Sequence, residues 1–470
     1  MTSPTITGLT TAANAIYSSC VTTSAEVCLN ENPSFNTTCG ADDTTIFNAG
    51  LATGKSVVFF GCALISSDLI QTTPSQIIRG QGRAPYSITS AAGHGSTIYA
   101  ASNSGFTHGL LYVNTSGLAG PVIKDLAIQV QQVDTATRSS LTNWVPLIYA
   151  QNVPAMKLTG VGEFAGIVCL DARGNDGQLI LDDVLMSCLG TTSSGGGNIL
   201  VDGAYDTVYQ QNVHIWPAAL TANQETIFFS SGTIGLSIGG VSGMLLSNWF
   251  ADAGTPIALI CSASSTNAGA GQSLFMSSFG LEPSTGAVGI SSSAGTGCSY
   301  GNNPQVTLAS GYASLASGTT SAINEVAGSW TLGSFFVFDG NSSSTPEISL
   351  TDTNGTTNFE WTGGSVYRNV GDRTQVSVGG AATVAEVAHV TSVTSTNAET
   401  FTTPVYQTTS SGVSLRLDYN YISPTVGVGS GTFVSIYADG NHVVNNNIAK
   451  GWTFTVPTGT TTGIYTPNVK

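Results

Sequence analysis

Asp252 and Glu282 stand out because acids are so scarce around them. Between Asp206 and Glu325 the only carboxylates are Glu225, Asp252 and Glu282. Asp252 and Glu282 each end an apolar run, "LSNWFAD" (246–252) and "MSSFGLE" (276–282). Two carboxyl groups held a few ångströms apart can divide acid–base work. One gives a proton to a leaving oxygen while the other, ionised, attacks or activates water. Mutual repulsion and apolar neighbours raise one pKa and keep that acid protonated.

Such a pair needs elements that hold it. Six segments align by apolar pattern: "KDLAIQ" from Lys124, "LTGVGEF" from Leu158, "LDDVLMS" from Leu181, "QQNVHIW" from Gln210, "LSNWFAD" from Leu246 and "MSSFGLE" from Met276. The fourth residue of the last five gives Val161, Val184, Val213, Trp249 and Phe279, separated by 23, 29, 36 and 30 residues. That range fits one supersecondary unit stacked on the next. Strand side chains alternate between faces. The reference residues, Trp249 among them, are therefore expected inside, and the residues one and three later outside. The "three later" column is Phe164, Ser187, Trp216, Asp252 and Glu282; the "one later" column is Gly162, Leu185, His214, Phe250 and Gly280. Glu163 falls at an inward position in this register.

Asp252 and Glu282 are thus expected one rung apart, about 4.8 Å. That approaches the ~5–5.5 Å of retaining glycosidases, and a lateral offset reaches the ~6.5–9.5 Å of inverting ones. Trp216, His214 and Phe250 beside them form a platform suited to sugar rings. With Glu225 they are the expected substrate-binding residues. The plainer reading is two strand-end acids facing water, or a subunit interface.

A second ladder, "IVCLD", "ILVDG", "IFFSS", "ALICS" and "VGISS", aligns Asp171, Asp202, Ser230, Cys261 and Ser292 at steps of 31, 28, 31 and 31. Two ladders imply at least two strands per coil, a parallel solenoid. Asp171 and Asp202, with Arg173 nearby, form the alternative acid pair, although Asp202-Gly203 also reads as turn chemistry. A lyase acting on uronates needs cations, yet no Lys or Arg occurs between Arg173 and Arg368. Calcium on Asp171, Asp182, Asp183 and Asp202 could substitute, but the balance tilts towards a hydrolase with no cofactor and no metal. His94, His108, His389 and His442 have no triad companions in sequence, and there is no GxSxG motif. An esterase acting on glycan acetyl groups stays open.

Composition sets the bounds. Of 470 residues 8% are charged, against ~25% in ordinary soluble domains. The 56 glycines and 41% hydrophobic content suit short strands, many turns and a surface that touches neutral sugars. A net charge of -15 argues against nucleic acid and anionic membrane. No apolar run approaches the ~18 residues of a membrane span. The first residues lack a basic start and an apolar core, so no secretory signal is expected. Eight cysteines without CxxC make a zinc site a poor fit. They read as small apolar filler, with disulfides among Cys20, Cys28, Cys39 and Cys62 if the protein ends up outside a cell.

Residues 42–53, "DDTTIFNAGLAT", predict a short helix with Asp43 as cap and Ile46, Phe47 and Leu51 on one side. The strand pair "SVVFFGCALISSDLI" and the strand and Gly turn "SQIIRGQGR" follow. Together, residues 40–83 resemble the opening of a right-handed parallel β-helix of the pectin-lyase-like superfamily, as found in phage tailspikes that depolymerise bacterial polysaccharides. The resemblance implies a homotrimer on a virion tail that acts on a bacterial surface polysaccharide. Its alternatives are a secreted polysaccharide lyase of the same fold and a non-catalytic glycan-binding spike or adhesin. The repeats fade after about residue 310, and alternating strands from about 373 predict a separate antiparallel, sandwich-like domain for trimerisation or sugar binding. The expected organisation is all-β: an N-terminal segment over 1–38, a parallel β-helix with a short capping helix over 39–372, and the C-terminal β domain over 373–470.

Overall fold

The computed structural model describes residues 20–83, 95–116, 119–173, 177–190, 197–202, 207–218, 220–230, 232–239, 241, 243–260, 273–293, 305–315, 321–325, 328–340, 345–352, 358–368, 373–380, 383–394, 403–424, 431–438, 442–445, 447, 452–455 and 463–465. Two sheets dominate, of 20 and 14 strands. In the smaller sheet each strand pairs with the next in chain order, from Leu69–Gln71 to Trp452–Thr455. Described strand pairs in both sheets are parallel. The chain is a right-handed parallel β-helix, the hand that parallel crossovers take.

The long strands of the larger sheet share one device. Asp125, Gly160, Asp183, Asn212, Asn248, Ser278, Ser310 and Ser334 have φ of 57, 63, 53, 53, 49, 51, 58 and 52°. Strand pairing puts them at one register position on successive rungs. A left-handed residue costs least as Gly, Asn or Asp, which matches half of this column or more. It bends each strand into two halves, so two sheets make a coil of three faces. The bend also uses up a residue. Met244 and Leu246 are buried, Ser247 and Asn248 are both exposed, and Trp249 is buried again.

Beyond the bend the expected register holds. Val161, Val184, Val213, Trp249 and Phe279 are direct cross-strand partners. They belong to one apolar cluster running from Leu29 to Val444. Trp249 is wholly buried, and its indole Nε1 donates to Gln210 Oε1 at 2.9 Å, which satisfies the polar atom of a core ring. Phe279 and Phe335 stack at 6.0 Å with Gly311 on the rung between them. A Cβ at Gly311 would lie 2.2 Å from the Phe279 ring.

The course of the coils corrects three expectations. The repeats do not fade after 310: rungs continue through Gln305–Leu315, Ser329–Asp339, Asn358–Arg368 and Val384–Thr394. The antiparallel sandwich over 373–470 does not form among the described residues, where the strand pairs remain parallel and in the same two sheets. Arg373 even crosses the expected boundary, in a fully buried ion pair with Asp339 at 3.2 Å. Each rung buries one face and leaves the other to solvent, so its parallel strands alternate in sequence as antiparallel ones do. Finally, the second ladder is misaligned. Asp202 pairs with Gly239 on the strand Ile234–Gly239, not with Ser230, because "IFFSS" begins within a helix, Ala222–Phe228. Asp171 pairs with Leu200, a slip of two residues from Asp202. A two-residue slip keeps every side chain on its face, so the apolar pattern alone could not detect it.

The helix spans Thr44–Ala52, with Phe47 and Leu51 buried. Asp43 precedes it but does not cap it with its side chain; Asp42 accepts from the Thr44 amide at 3.0 Å instead. The cysteines are not filler. Cys20–Cys28, Cys39–Cys62 and Cys169–Cys188 are disulfides, and Cys261 and Cys298 lie outside the described residues. No helix among the described residues is long and apolar enough to cross a membrane.

Candidate active site

Asp252 and Glu282 each sit one residue past a rung, Gly243–Ala251 and Ser273–Leu281. The ladder still holds them. The Asp252 amide donates to Ile215 O and the Glu282 amide to Ala251 O, both at 2.9 Å. Both side chains are half-buried and line one cavity of about 350 Å³ with Phe229, Pro283, Ser284, Thr285 and Ser314.

Burial, then the negative charge of Glu282, pushes the Asp252 carboxyl up to about 6. The Tyr312 hydroxyl donates to Glu282 Oε1 at 3.2 Å, and burial, followed by that carboxylate, pushes the phenol up to about 12. Burial lowers His214, and the Glu282 charge opposes it. An acid held near neutrality beside an anchored carboxylate is the division of labour that glycosidic cleavage needs.

Trp216 is 42% exposed and stacks on His214 at 5.7 Å with rings 11° apart. His214 meets Phe250 edge-on at 6.3 Å. These three extend the carboxylate column on the same outer face. Their N-terminal neighbours in the column are closed off. Phe164 packs outside the main core with Ala127, Leu185 and Ala218. The Ser187 hydroxyl bonds to Trp216 O and accepts from the Ala218 amide, so it pins the platform from below. Glu225 lies in the first turn of a helix, Ala222–Phe228, and does not line the carboxylate cavity.

That helix and its ring Phe229 were not expected from sequence. Its signal was present as "TANQ": Thr221 Oγ1 accepts from the Gln224 amide and the Gln224 side chain accepts back from the Thr221 amide, a capping box. Arg138 fastens the helix end. Its guanidinium donates to Leu189 O at 2.6 Å, Ile227 O at 2.8 Å, Ser230 Oγ at 2.6 Å and Thr233 Oγ1 at 2.7 Å. Tyr312 has no such signal, because its rung, Gln305–Leu315, lies where the sequence repeats lose their spacing.

The structure does not unite the alternative pair. Asp171 is 5% exposed and held by Arg173 in a two-pronged ion pair, Nε–Oδ1 3.0 Å and Nη2–Oδ2 2.7 Å. Its cross-strand partners are Tyr149 and, on the following rung, Leu200. The side chain of Asp202 lies outside the described residues. Asp183 pairs with Arg83 at 3.4 Å, and among the described residues no group of three His, Cys, Asp or Glu is gathered to hold a metal ion. Glu163 is inward as its register required. It is wholly buried, neither carboxyl oxygen has a hydrogen-bond partner among the described residues, and burial pushes it up to about 8.

No protein-family model matches the chain, and no curated protein matches it. Among solved structures it is similar to the catalytic unit of a GH87 alpha-1,3-glucanase from Streptomyces thermodiastaticus, at 13% identity and TM-score 0.44, covering 96% of this chain and 69% of that one. It is similar to tailspike protein 3 of bacteriophage CBA120 at 12% identity and TM-score 0.38, covering 90% and 61%. It is also similar to the Streptococcus pneumoniae surface adhesin PfbA at 11% identity and TM-score 0.37, covering 94% and 99%.

Proposed function

We propose that this chain is a polysaccharide depolymerase that hydrolyses glycosidic bonds of a bacterial capsular, exo- or lipopolysaccharide. The observation that carries this reading is the placement of Asp252 and Glu282 on consecutive rungs, in one cavity, beside an exposed aromatic platform. Asp252, with its carboxyl pushed up to about 6, is the general acid that protonates the leaving glycosidic oxygen. Glu282, anchored by Tyr312, is the anionic partner that attacks the anomeric carbon or activates water. Trp216, His214 and Phe250 bind the sugar chain. The rung spacing of about 4.8 Å lies nearer the retaining geometry than the inverting one.

The chain offers no Lys or Arg between Arg173 and Arg368, which favours hydrolysis over a uronate lyase reaction that must neutralise a substrate carboxylate. Three disulfides suit work outside a reducing cytoplasm. The resemblance of residues 40–83 to tailspike openings extends the proposal to a homotrimer on a virion tail, with a secreted enzyme as the alternative. Incubation with purified bacterial surface polysaccharides tests the activity. Shortened chains with new reducing ends and no unsaturated sugar support hydrolysis. Unsaturated products would move the assignment to a lyase, and a polysaccharide that is bound but left intact would move it to a binding spike.

A further inference from the structure

The groove does not stop at the carboxylates. Phe250, Tyr312, Phe336, Phe338 and Tyr367 wall a second cavity of about 570 Å³. Tyr312 joins the two spaces, since it lines this cavity while its hydroxyl is bonded to Glu282 at 3.2 Å. Phe338 and Tyr367 stack at 5.4 Å with rings 12° apart, and Tyr312 stands edge-on to Phe338 at 5.8 Å. The floor is polar. Ser278, Ser310 and Ser334, the exposed left-handed residues of three successive rungs, offer a hydroxyl about every 4.8 Å.

This lining selects by chemistry. It contains no charged side chain, and the adjoining cavity holds two carboxyl groups, so an anionic sugar would find repulsion and no counter-charge. A plain hexose carries hydroxyls around its whole rim, and those turned to the Phe rings would lose water without a partner. A sugar bearing a methyl group can lay it among the rings and set its remaining hydroxyls on the serine row. We propose that this cavity is a sugar subsite beside the cleavage point that selects an uncharged, methyl-bearing unit, either a 6-deoxyhexose or an N-acetylhexosamine. Its position beside the cleavage point rests on the depolymerase reading; its selectivity does not. The serine row and the continuity with the carboxylate cavity favour a glycan over a second copy of the chain, because a dry contact would bury those hydroxyls unpaired.

Saturation-transfer NMR tests this with N-acetylglucosamine, N-acetylgalactosamine, L-rhamnose, L-fucose, glucose and glucuronic acid on the full chain. At least one methyl-bearing sugar should receive saturation at its methyl protons, roughly fivefold above glucose and glucuronic acid. That signal should vanish in Phe338→Ala and Tyr367→Ala and persist in Asp252→Asn. Equal saturation of glucuronic acid, no methyl-bearing sugar saturated, or an unchanged signal in both aromatic variants would overturn the subsite. A change in oligomeric mass in those variants, with sugar binding retained, would also overturn it. If Asp252→Asn depolymerises normally while Phe338→Ala still loses the methyl signal, the catalytic reading fails and the selective subsite stands.

Discussion

Glu282 bears on Asp252 through charge rather than through a hydrogen bond: the two acids leave neighbouring rungs on one face, and the Glu282 carboxylate adds to burial in pushing Asp252 up to about 6. The sign of the pH dependence follows. Asp252 is protonated below that value and loses its proton as pH rises through it. A reaction that needs Asp252 as the acid must therefore fall on the alkaline side of about 6. In Glu282→Gln the neighbouring charge is gone, so the Asp252 titration should move down. Carbon-13 NMR of the carboxyl group reads this directly, and an unmoved titration would show that the two acids do not interact.

Trp216 is an exposed ring of the platform, stacked on His214. Trp216→Ala should raise KM for polysaccharide by roughly tenfold with kcat little changed, the pattern of lost uniform binding. A fall in kcat at constant KM would instead place Trp216 in the transition state.

Arg138 acts at a distance, through the end of the helix that carries Phe229. Arg138→Gln should speed amide exchange across residues 222–230 and lower the Asp252 titration, because Phe229 helps to bury that acid. Phe229→Ala should lower the same titration without loosening the helix. If Arg138→Gln leaves both readouts unchanged, Arg138 is only a loop staple.

The fold was legible because apolar residues repeat one task down a column. Val161, Val184, Val213, Trp249 and Phe279 fill the same inner position, and their register could be read from apolar pattern alone. The bend at Asp125, Asp183, Asn212 and Asn248 was present in the sequence as a column of residues that tolerate positive φ. It was overlooked because a single left-handed residue interrupts strict alternation. Asp252 and Glu282 could be paired because both lie on the C-terminal side of that bend, where the aligned segments share one phase. Asp171 and Asp202 could not be, since a two-residue slip leaves the pattern intact. The disulfide Cys169–Cys188 depends on coil stacking that no local spacing reveals.

Glu163 supplies a test of the solenoid interior. Burial pushes it up to about 8 from an ordinary value of 4.5. The folded chain thus keeps a proton that the unfolded chain gives up. The stability linked to this group is complete below the ordinary value and is lost as pH rises towards about 8. Glu163→Gln removes the ionisation. Across that window the melting temperature of the native chain should fall relative to the variant by roughly 2–5 °C. Parallel curves for the two proteins would mean that Glu163 finds a partner in solution.

The central claim is that Asp252 and Glu282 together cut a glycosidic bond. It is tested most directly by the single-turnover rate at which Asp252→Asn, Glu282→Gln and the double variant release new reducing ends, below the Asp252 titration. Each single variant should be slower by roughly 10²–10⁴-fold, with polysaccharide still bound. The double variant should be little worse than the slower single, as expected of groups that act as a unit. A native rate in either single variant would contradict the assignment.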